Sequence, residues 1–322
     1  MAQYLAIHQK ASIFTHIFNK DVSNQQNLPQ NKLFFSYRFF KTIRKKKGII
    51  VYVPNSSSTF LSFLRLKVLE VFSSKPTIFI GIQKRQHTSL QKTIIKFFLR
   101  PKLMFIFSLR EKNYYKSLGI KTEITSIGVN TNKYVPVNSK NKLELRTKLN
   151  LPLNKNILLH VGHINRGRNI CVLKGLLNQG YEVIVIGSTC FNDDNDLKHE
   201  LVDAGIKIVS HYIDKINEYY QAVDAYVFPV LNDNSVIEFP LSILEAMSCN
   251  LPILTTPFGS IPFHFKETDF FRYFNDEESL ITETNELFEM TGNINCNNTK
   301  IIKESFSWEK QFEILYKQIE NL

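Results

Sequence analysis

Cysteine is scarce in this chain, acidic residues are nearly missing from its first half, and none of its 322 residues belongs to a long apolar run. The four cysteines, Cys171, Cys190, Cys249 and Cys296, all lie in the second half and form no CxxC pair. Metal sites and disulfide frameworks use closer, paired spacing, so these residues read as free buried thiols in a reducing compartment. No stretch approaches the roughly 18 apolar residues of a membrane span, which excludes a transmembrane helix. The opening MAQYLAIHQKASIF lacks a charged segment followed by an apolar one. No secretory leader is therefore expected, and the cytoplasm is the expected compartment. Internal repeats, low-complexity tracts and nucleic-acid fold motifs are also missing.

The shortage of acid is one-sided. Residues 1–150 carry 27 Lys+Arg against 5 Asp+Glu, whereas the remainder carries 13 against 24. A net charge of +11 thus hides a basic half of +22 and an acidic half of −11. Such a split suggests two domains with different partners, one of them facing something anionic. A hydrophobic content of 43% over this length also favours two ordinary cores over one large core.

Short apolar strands alternate with helices of about ten residues, the pattern of βαβ units and parallel sheets. In the first half, strands are expected at 49–53, 77–80, 103–107 and 123–127, with helices at 59–72, 90–99 and 111–118. The polar segment Gly128–Lys142 is the best linker in the chain. Beyond it come a short helix around Glu144–Lys148 and strands at 157–161, 183–186, 206–209, 225–228 and 253–255. Helical patterns separate these strands at 170–177, 194–204, 216–223 and 241–248. An amphipathic helix from about Trp308 closes the chain. The expected fold class is α/β: two doubly wound, Rossmann-like domains facing a cleft, with residues 1–137 and 138–305 as the domains and 306–322 as a terminal helix.

Ala225–Gly259 carries the most information. It reads as buried strand, polar loop, short helix, Asn stop, second strand and Gly turn, with Glu238 on the loop and Glu245 on the helix. Ligands of open parallel sheets bind at the carboxyl ends of the strands, so a nucleotide is the first candidate. Pro240 suits the first turn of the helix, and Asn250 can take a left-handed cap. The free N–H groups near Leu241 and Ser242, with the helix dipole, favour a diphosphate. Glu245 could accept hydrogen bonds from ribose hydroxyls, or could be one solvated glutamate on a packing helix. A second constellation is His160–Asn169 (HVGHINRGRN), where a strand ends at Gly162 and His163 and a helix opens near Gly167. Arg166 and Arg168 on this loop could grip phosphate through bidentate, charge-assisted contacts, or could be a solvated basic loop.

Together the segments GVNTNKYVP, LRTKLNL, VGHINRGRN, VIVIG, YYQAVDAYVFP, PLSILEAMSCNLPILTT and FSWEKQFEILY resemble, in order and spacing, the retaining glycosyltransferases of family 4, which have the GT-B fold. The resemblance covers roughly residues 100–322. It implies a nucleotide-diphosphate sugar as donor, bound mainly by the C-terminal domain, and an acceptor bound mainly by the N-terminal one. It also implies transfer with retention and no metal; Asn192–Asp196 (NDDND) reads as a solvated helix start. By the same resemblance Glu245 matches the glutamate that holds the ribose, Arg168 stands where a Lys usually meets the diphosphate, and His163 stands where an Arg is usual. Gly162 and Gly187 fall at the strand ends of the donor site. With Glu238, Arg166 and Arg168 are the residues assigned to catalysis, the arginines by neutralising charge on the departing diphosphate.

The chain also departs from the family. The family spacing E-x7-E would put the first glutamate at Ile237, but the sequence has Glu238. Nothing in the first fourteen residues supplies the usual Gly-rich loop, so the N-terminal domain looks short by about one βα unit. Gln83, Arg85 and His87, just past a strand end, are candidates for the donor sugar or acceptor side. The mixed basic and aromatic segments at 39–47 and 60–67 suit an anionic membrane surface carrying a lipid-linked acceptor or glycan. Nucleic acid would use the same charge, but no nucleic-acid partner is expected. The expected protein is a cytoplasmic glycosyltransferase, peripheral on the inner face of the membrane and acting in polysaccharide or glycolipid synthesis. A catalytically impaired GT-B scaffold, a basic nucleic-acid-associated protein and a nucleotide-sugar epimerase are the rival readings.

Overall fold

The computed structural model describes residues 13–15, 25–27, 36–54, 57–81, 83–187, 194–231, 237–290 and 296–320. The opening decapeptide, Cys190, Asn192 and Asp193 lie outside the described residues, as do residues 232–236 of the loop before Glu238. The chain divides into two compact units, residues 1–126 with 311–322, and residues 127–310. The partition places 127–137 and 306–310 with the second unit.

In unit 1, a short parallel pair, β1 (Ile13–Thr15) and β2 (Gln25–Asn27), precedes a four-stranded sheet. The sheet runs β3 (Ile50–Tyr52), β4 (Thr77–Gly81), β5 (Leu103–Ile106), β6 (Thr122–Ile124), all parallel and in sequence order. Helices α1 (Tyr37–Lys45), α2 (Phe60–Ser73), α3 (Ser89–Phe98) and α4 (Leu109–Ser117) accompany it. Because the described strands advance in one direction and parallel crossovers are right-handed, α2, α3 and α4 share one face. Phe63 and Leu66 of α2, Ile95 of α3 and Tyr115 of α4 bury against Phe79, Met104 and Ile106 there. Ser36, Thr59, Thr88 and Ser108 cap these four helices through their side chains. The chain returns to unit 1 at Gln311, whose side-chain oxygen accepts the N–H of Ser126 at 3.1 Å.

Unit 2 opens with α5 (Ser139–Lys148) and holds a six-stranded parallel sheet: β7 (Ile157–Val161), β8 (Glu182–Ile186), β9 (Lys207–Val209), β10 (Ala225–Phe228), β11 (Ile253–Thr255) and β12 (Phe271–Tyr273). Its helices are α6 (Lys174–Leu177), α7 (Asn195–Asp203), α8 (Ile216–Ala222), α9 (Leu241–Ser248), α10 (Ile261–His264), α11 (Glu277–Glu289) and α12 (Asn298–Ser305), and α13 (Trp308–Glu320) follows. The strand order is β12-β11-β10-β7-β8-β9. The chain walks outward from β7 to β9, then returns to the centre and walks the other way from β10 to β12. The topological switch point therefore lies between β7 and β10. Strands β7, β8, β10 and β11 are buried on both faces, which is why they read as nearly continuous apolar runs.

Local expectations fail at two points in unit 2. Arg166–Arg168 is a 3₁₀ turn ended by Asn169 in the left-handed conformation, and a second 3₁₀ segment covers Ile170–Leu173, so the expected helix at 170–177 is α-helical only over α6. Pro240 is the N-cap of α9 and not its first helical residue. Asn250 does take the left-handed conformation, with φ +62°.

Candidate functional site

The site is built at the switch point of unit 2. Strand β7 ends at Val161, and the next residue, Gly162, donates its N–H to the Ile186 carbonyl at 3.0 Å. A β-carbon on Gly162 would stand 2.8 Å from an Nη of Arg168 and 3.1 Å from Nε2 of His160. The bare glycine therefore lets the Arg168 guanidinium come up against the strand end. His160 is fully buried beneath it, with Nδ1 3.0 Å from the Val227 carbonyl. Burial first, and then the Arg168 charge, push the His160 pKa down to about 4, so the ring is neutral near pH 7.

The two arginines have different fates. Arg168 is 7% exposed, and burial lowers its pKa, opposed by Tyr226. Arg166 lies on the exposed side, where its guanidinium donates to Glu200 at 3.0 Å. Glu200 also accepts from Lys174 at 2.7 Å. The structure does not bring Arg166 and Arg168 together. His163 is half-buried beside Gly162. Gly187, at the end of β8, donates its N–H to the Val209 carbonyl at 2.8 Å.

On the other side of the switch point, Tyr226 of β10 joins the pieces. Its hydroxyl is 3.4 Å from the Val161 carbonyl, it hydrogen-bonds the Ser242 side chain, and it interacts with Arg168. Strand end, guanidinium and the first turn of α9 thus meet on one phenol. The N-cap Pro240 makes no side-chain cap hydrogen bond to the first turn of α9, the end of a helix that favours an anion. One turn in, Glu245 accepts from the Tyr220 hydroxyl at 2.9 Å and from the Tyr134 hydroxyl. Burial raises the Glu245 pKa, while the two tyrosines and Lys133 oppose that rise. A carboxylate offers about four acceptor sites, so two tyrosines leave room for further donors.

Glu238 is held by its backbone. Its carbonyl accepts both the N–H of Ser260, at 3.0 Å, and the Ser260 hydroxyl, at 3.1 Å. Gly259 makes this approach possible: it has φ +55°, and a β-carbon there would fall 2.3 Å from the Glu238 carbonyl oxygen. Oε2 of Glu238 is buried and has no hydrogen-bond partner among the described residues.

The candidates in unit 1 sit past the end of β4. Gln83 accepts from the Ser57 hydroxyl at 3.3 Å through its side chain and from the Ser58 N–H at 3.1 Å through its carbonyl, which ties it into the loop before α2. Arg85 is exposed. His87 is buried, with Nδ1 2.6 Å from the Tyr114 hydroxyl, and burial holds its pKa below the ordinary value. Asp194, from the NDDND segment, caps α7 by accepting the N–H of Leu197 at 3.0 Å. No cluster of three metal-ligating side chains occurs among the described residues.

Comparison with known proteins adds independent findings. Residues 156–290, which hold all of this switch-point site but Tyr134, match the family described as Glycosyl transferases group 1. A putative teichuronic acid biosynthesis glycosyltransferase, TuaC of Bacillus subtilis, is 23% identical over 150 residues. That match covers 45% of this chain and 36% of the relative, so the chain matches little more than a third of that protein. The structure resembles HepE of Anabaena in complex with UDP and glucose, with a TM-score of 0.73 at 15% identity, over 92% of this chain and 86% of that one. The fold is GT-B, with two Rossmann-like domains. A glycosyltransferase from Rickettsia africae gives the same TM-score of 0.73 at 14% identity, covering 92% of this chain and 84% of its own. Sucrose-phosphate synthase from Thermosynechococcus elongatus gives 0.69 at 18%, covering 92% and 83%. At these identities the GT-B likeness speaks to the fold.

Sequence reasoning missed the three tyrosines, Tyr134, Tyr220 and Tyr226, that organise the site. Each lies inside a recognised segment, but only the packing of the segment around Tyr134 with α8, β10 and α9 brings them to Glu245 and Ser242.

Proposed function

We propose that the chain transfers a sugar from a nucleotide-diphosphate sugar to a glycan or lipid-linked acceptor, retaining the anomeric configuration. The observation that carries this reading is the placement of buried Arg168 on the bare Gly162 strand end, joined through Tyr226 to the uncapped start of α9. A guanidinium and a helix N-terminus converging at a switch point form a diphosphate site. Arg168 and the N–H groups of Leu241 and Ser242 would hold the diphosphate and neutralise charge as the leaving group departs. Glu245, oriented by Tyr134 and Tyr220, would take the ribose hydroxyls. The buried, unpartnered oxygen of Glu238 would face the donor sugar, with its backbone fixed by Gly259 and Ser260 despite the one-residue shift. Arg166 would brace the loop through Glu200 and leave the phosphate contact to Arg168.

Support also comes from the group 1 family match and from HepE, which has been solved with UDP-glucose and with UDP. The teichuronic acid role in the name of TuaC favours a cell-envelope polysaccharide as the product. No step in this scheme uses a metal. A thermal-shift screen against UDP, GDP, ADP and their sugars tests the reading. One nucleotide diphosphate should raise the midpoint through mass action, and Arg168→Ala should remove the response. A flat screen, or a response that Arg168→Ala leaves intact, refutes it.

A further inference from the structure

Unit 1 carries a surface that the donor site does not use. It holds 23 Lys+Arg against 6 Asp+Glu, a net charge of +17, whereas unit 2 is at −6. Helix α1 packs on α2 through Phe40 and Phe72, whose rings lie 5.3 Å apart, and Nε of Arg44 donates to the Phe72 carbonyl at 2.7 Å. Beside this contact lies an open cavity of about 630 Å³, floored by Tyr37, Phe40 and Phe72 and rimmed by Lys41, Arg44 and Lys45. Tyr37 is 80% exposed there.

The apolar surface continues onto the neighbouring helices. Helix α2 buries Phe63, Leu66 and Leu69 yet leaves Leu61, Leu64 and Val71 exposed, so it is apolar on both sides. Helix α3 buries Ile95 inward and exposes Leu90, Phe97 and Phe98, each at least 65% accessible. One carboxylate, Glu70, lies on these three helices, and Lys67 pairs with it at 2.9 Å. Lys96 and Arg100 flank the exposed phenylalanines in the sequence, whereas Lys92 sits over the Tyr114 ring, 5.8 Å from its centroid. Large apolar side chains left exposed on three neighbouring helices mark an interaction surface, and the basic residues on the same helices favour an anionic occupant.

We infer that the α1–α2–α3 layer of unit 1 docks on an anionic lipid bilayer, with the aromatic cavity taking a phosphate-bearing headgroup and Phe97 and Phe98 entering the headgroup boundary. Charge attraction explains the lysines and arginines, and shallow insertion explains the exposed aromatics and leucines. A nucleic acid would satisfy the charge but would leave the outward leucines of α2 and the phenylalanines of α3 without a role.

The test is co-sedimentation of the full chain with vesicles of phosphatidylcholine alone and with vesicles in which about a third of the lipid is phosphatidylglycerol. Strong binding is expected only to the anionic vesicles, and it should weaken as salt shortens the screening length. Removing two surface charges, as in Lys41→Gln with Lys45→Gln, should cost about 25-fold in partitioning. Phe97→Ser with Phe98→Ser should weaken binding at every salt concentration. All four positions are on the helix surface, and an unchanged melting midpoint shows that the variants fold. Equal binding to both vesicles, no binding, or variants that bind like the parent would overturn the inference. Full displacement by a short DNA duplex whose own binding ignores Phe97 and Phe98 would assign the surface to nucleic acid instead. Nucleotide binding by the same variants should be unchanged, so failure here is separable from failure of the donor site.

Discussion

The hydroxyl of Tyr220 donates to a carboxylate oxygen of Glu245 at 2.9 Å, in a pocket where burial raises the pKa of both. A hydrogen bond to a charged group contributes about 1.5–3 kcal/mol. Tyr220→Phe should therefore destabilise the protein by an amount at the lower end of that range in urea titrations. It should also free Glu245 to rotate and weaken nucleotide affinity several-fold, by calorimetric titration. Unchanged affinity would mean that the tyrosine serves only the core.

Gly162 tests the diphosphate site most sharply. Its missing side chain leaves the space that an Nη of Arg168 occupies, at 2.8 Å from where a β-carbon would be. Gly162→Ala should displace the guanidinium and cost roughly ten-fold or more in affinity for a nucleoside diphosphate, the scale of one charge-assisted hydrogen bond. The corresponding nucleoside, which has no phosphate, should bind as before. Arg168→Ala should reproduce this pattern, and Arg166→Ala should shift diphosphate affinity less than either.

The contrast between those two arginines shows where sequence reading ends. Strands β7, β8, β10 and β11 are legible because burial on both faces demands unbroken apolar runs. Arg166 and Arg168 carry the same chemistry two positions apart, and no composition rule separates them. A 3₁₀ turn of about three residues per turn puts positions i and i+2 on different faces. One guanidinium therefore meets Glu200 on the exposed side and the other packs against Gly162. Strand β12 is not legible because its three residues are centred on Arg272, and α11 is not because its sequence is dominated by Glu. Tyr220 reaches Glu245 across 25 residues and Tyr134 across many more, contacts fixed by how the segment around Tyr134, α8 and α9 pack.

Histidine burial gives the protein an acid-sensitive stability. His160 and His264 both have pKa values lowered by burial from 6.5 to about 4. In the unfolded chain both take up protons as pH falls below 6.5, whereas in the folded chain they stay neutral until about pH 4. The unfolded state therefore binds more protons in that window, and stability falls as pH is lowered through it. Fully buried His160 alone should account for roughly 3 kcal/mol between the two limits. Urea unfolding at pH 7 and pH 5 should show the loss, and His160→Gln should flatten part of the slope. A parent protein equally stable at both pH values would contradict the buried, neutral assignment.

Gly259 and Glu238 provide the last test, because the glycine touches no ligand in the proposed scheme. Its φ of +55° and the 2.3 Å between a notional β-carbon and the Glu238 carbonyl leave no room for a side chain. Gly259→Ala combines a left-handed backbone with a backbone clash and should cost about 1–3 kcal/mol of stability. Relief of the clash must move Ser260 away from the Glu238 carbonyl and shift the carboxylate beside it. Sugar transfer should then slow while nucleoside diphosphate affinity, set by Arg168 and α9, is retained. Ser260→Ala, which removes only the hydroxyl contact at 3.1 Å, should show the same separation more mildly and with a near-normal melting midpoint. If Gly259→Ala lost transfer and nucleotide binding in equal measure, the turn would be holding the whole of the donor site and not Glu238 alone.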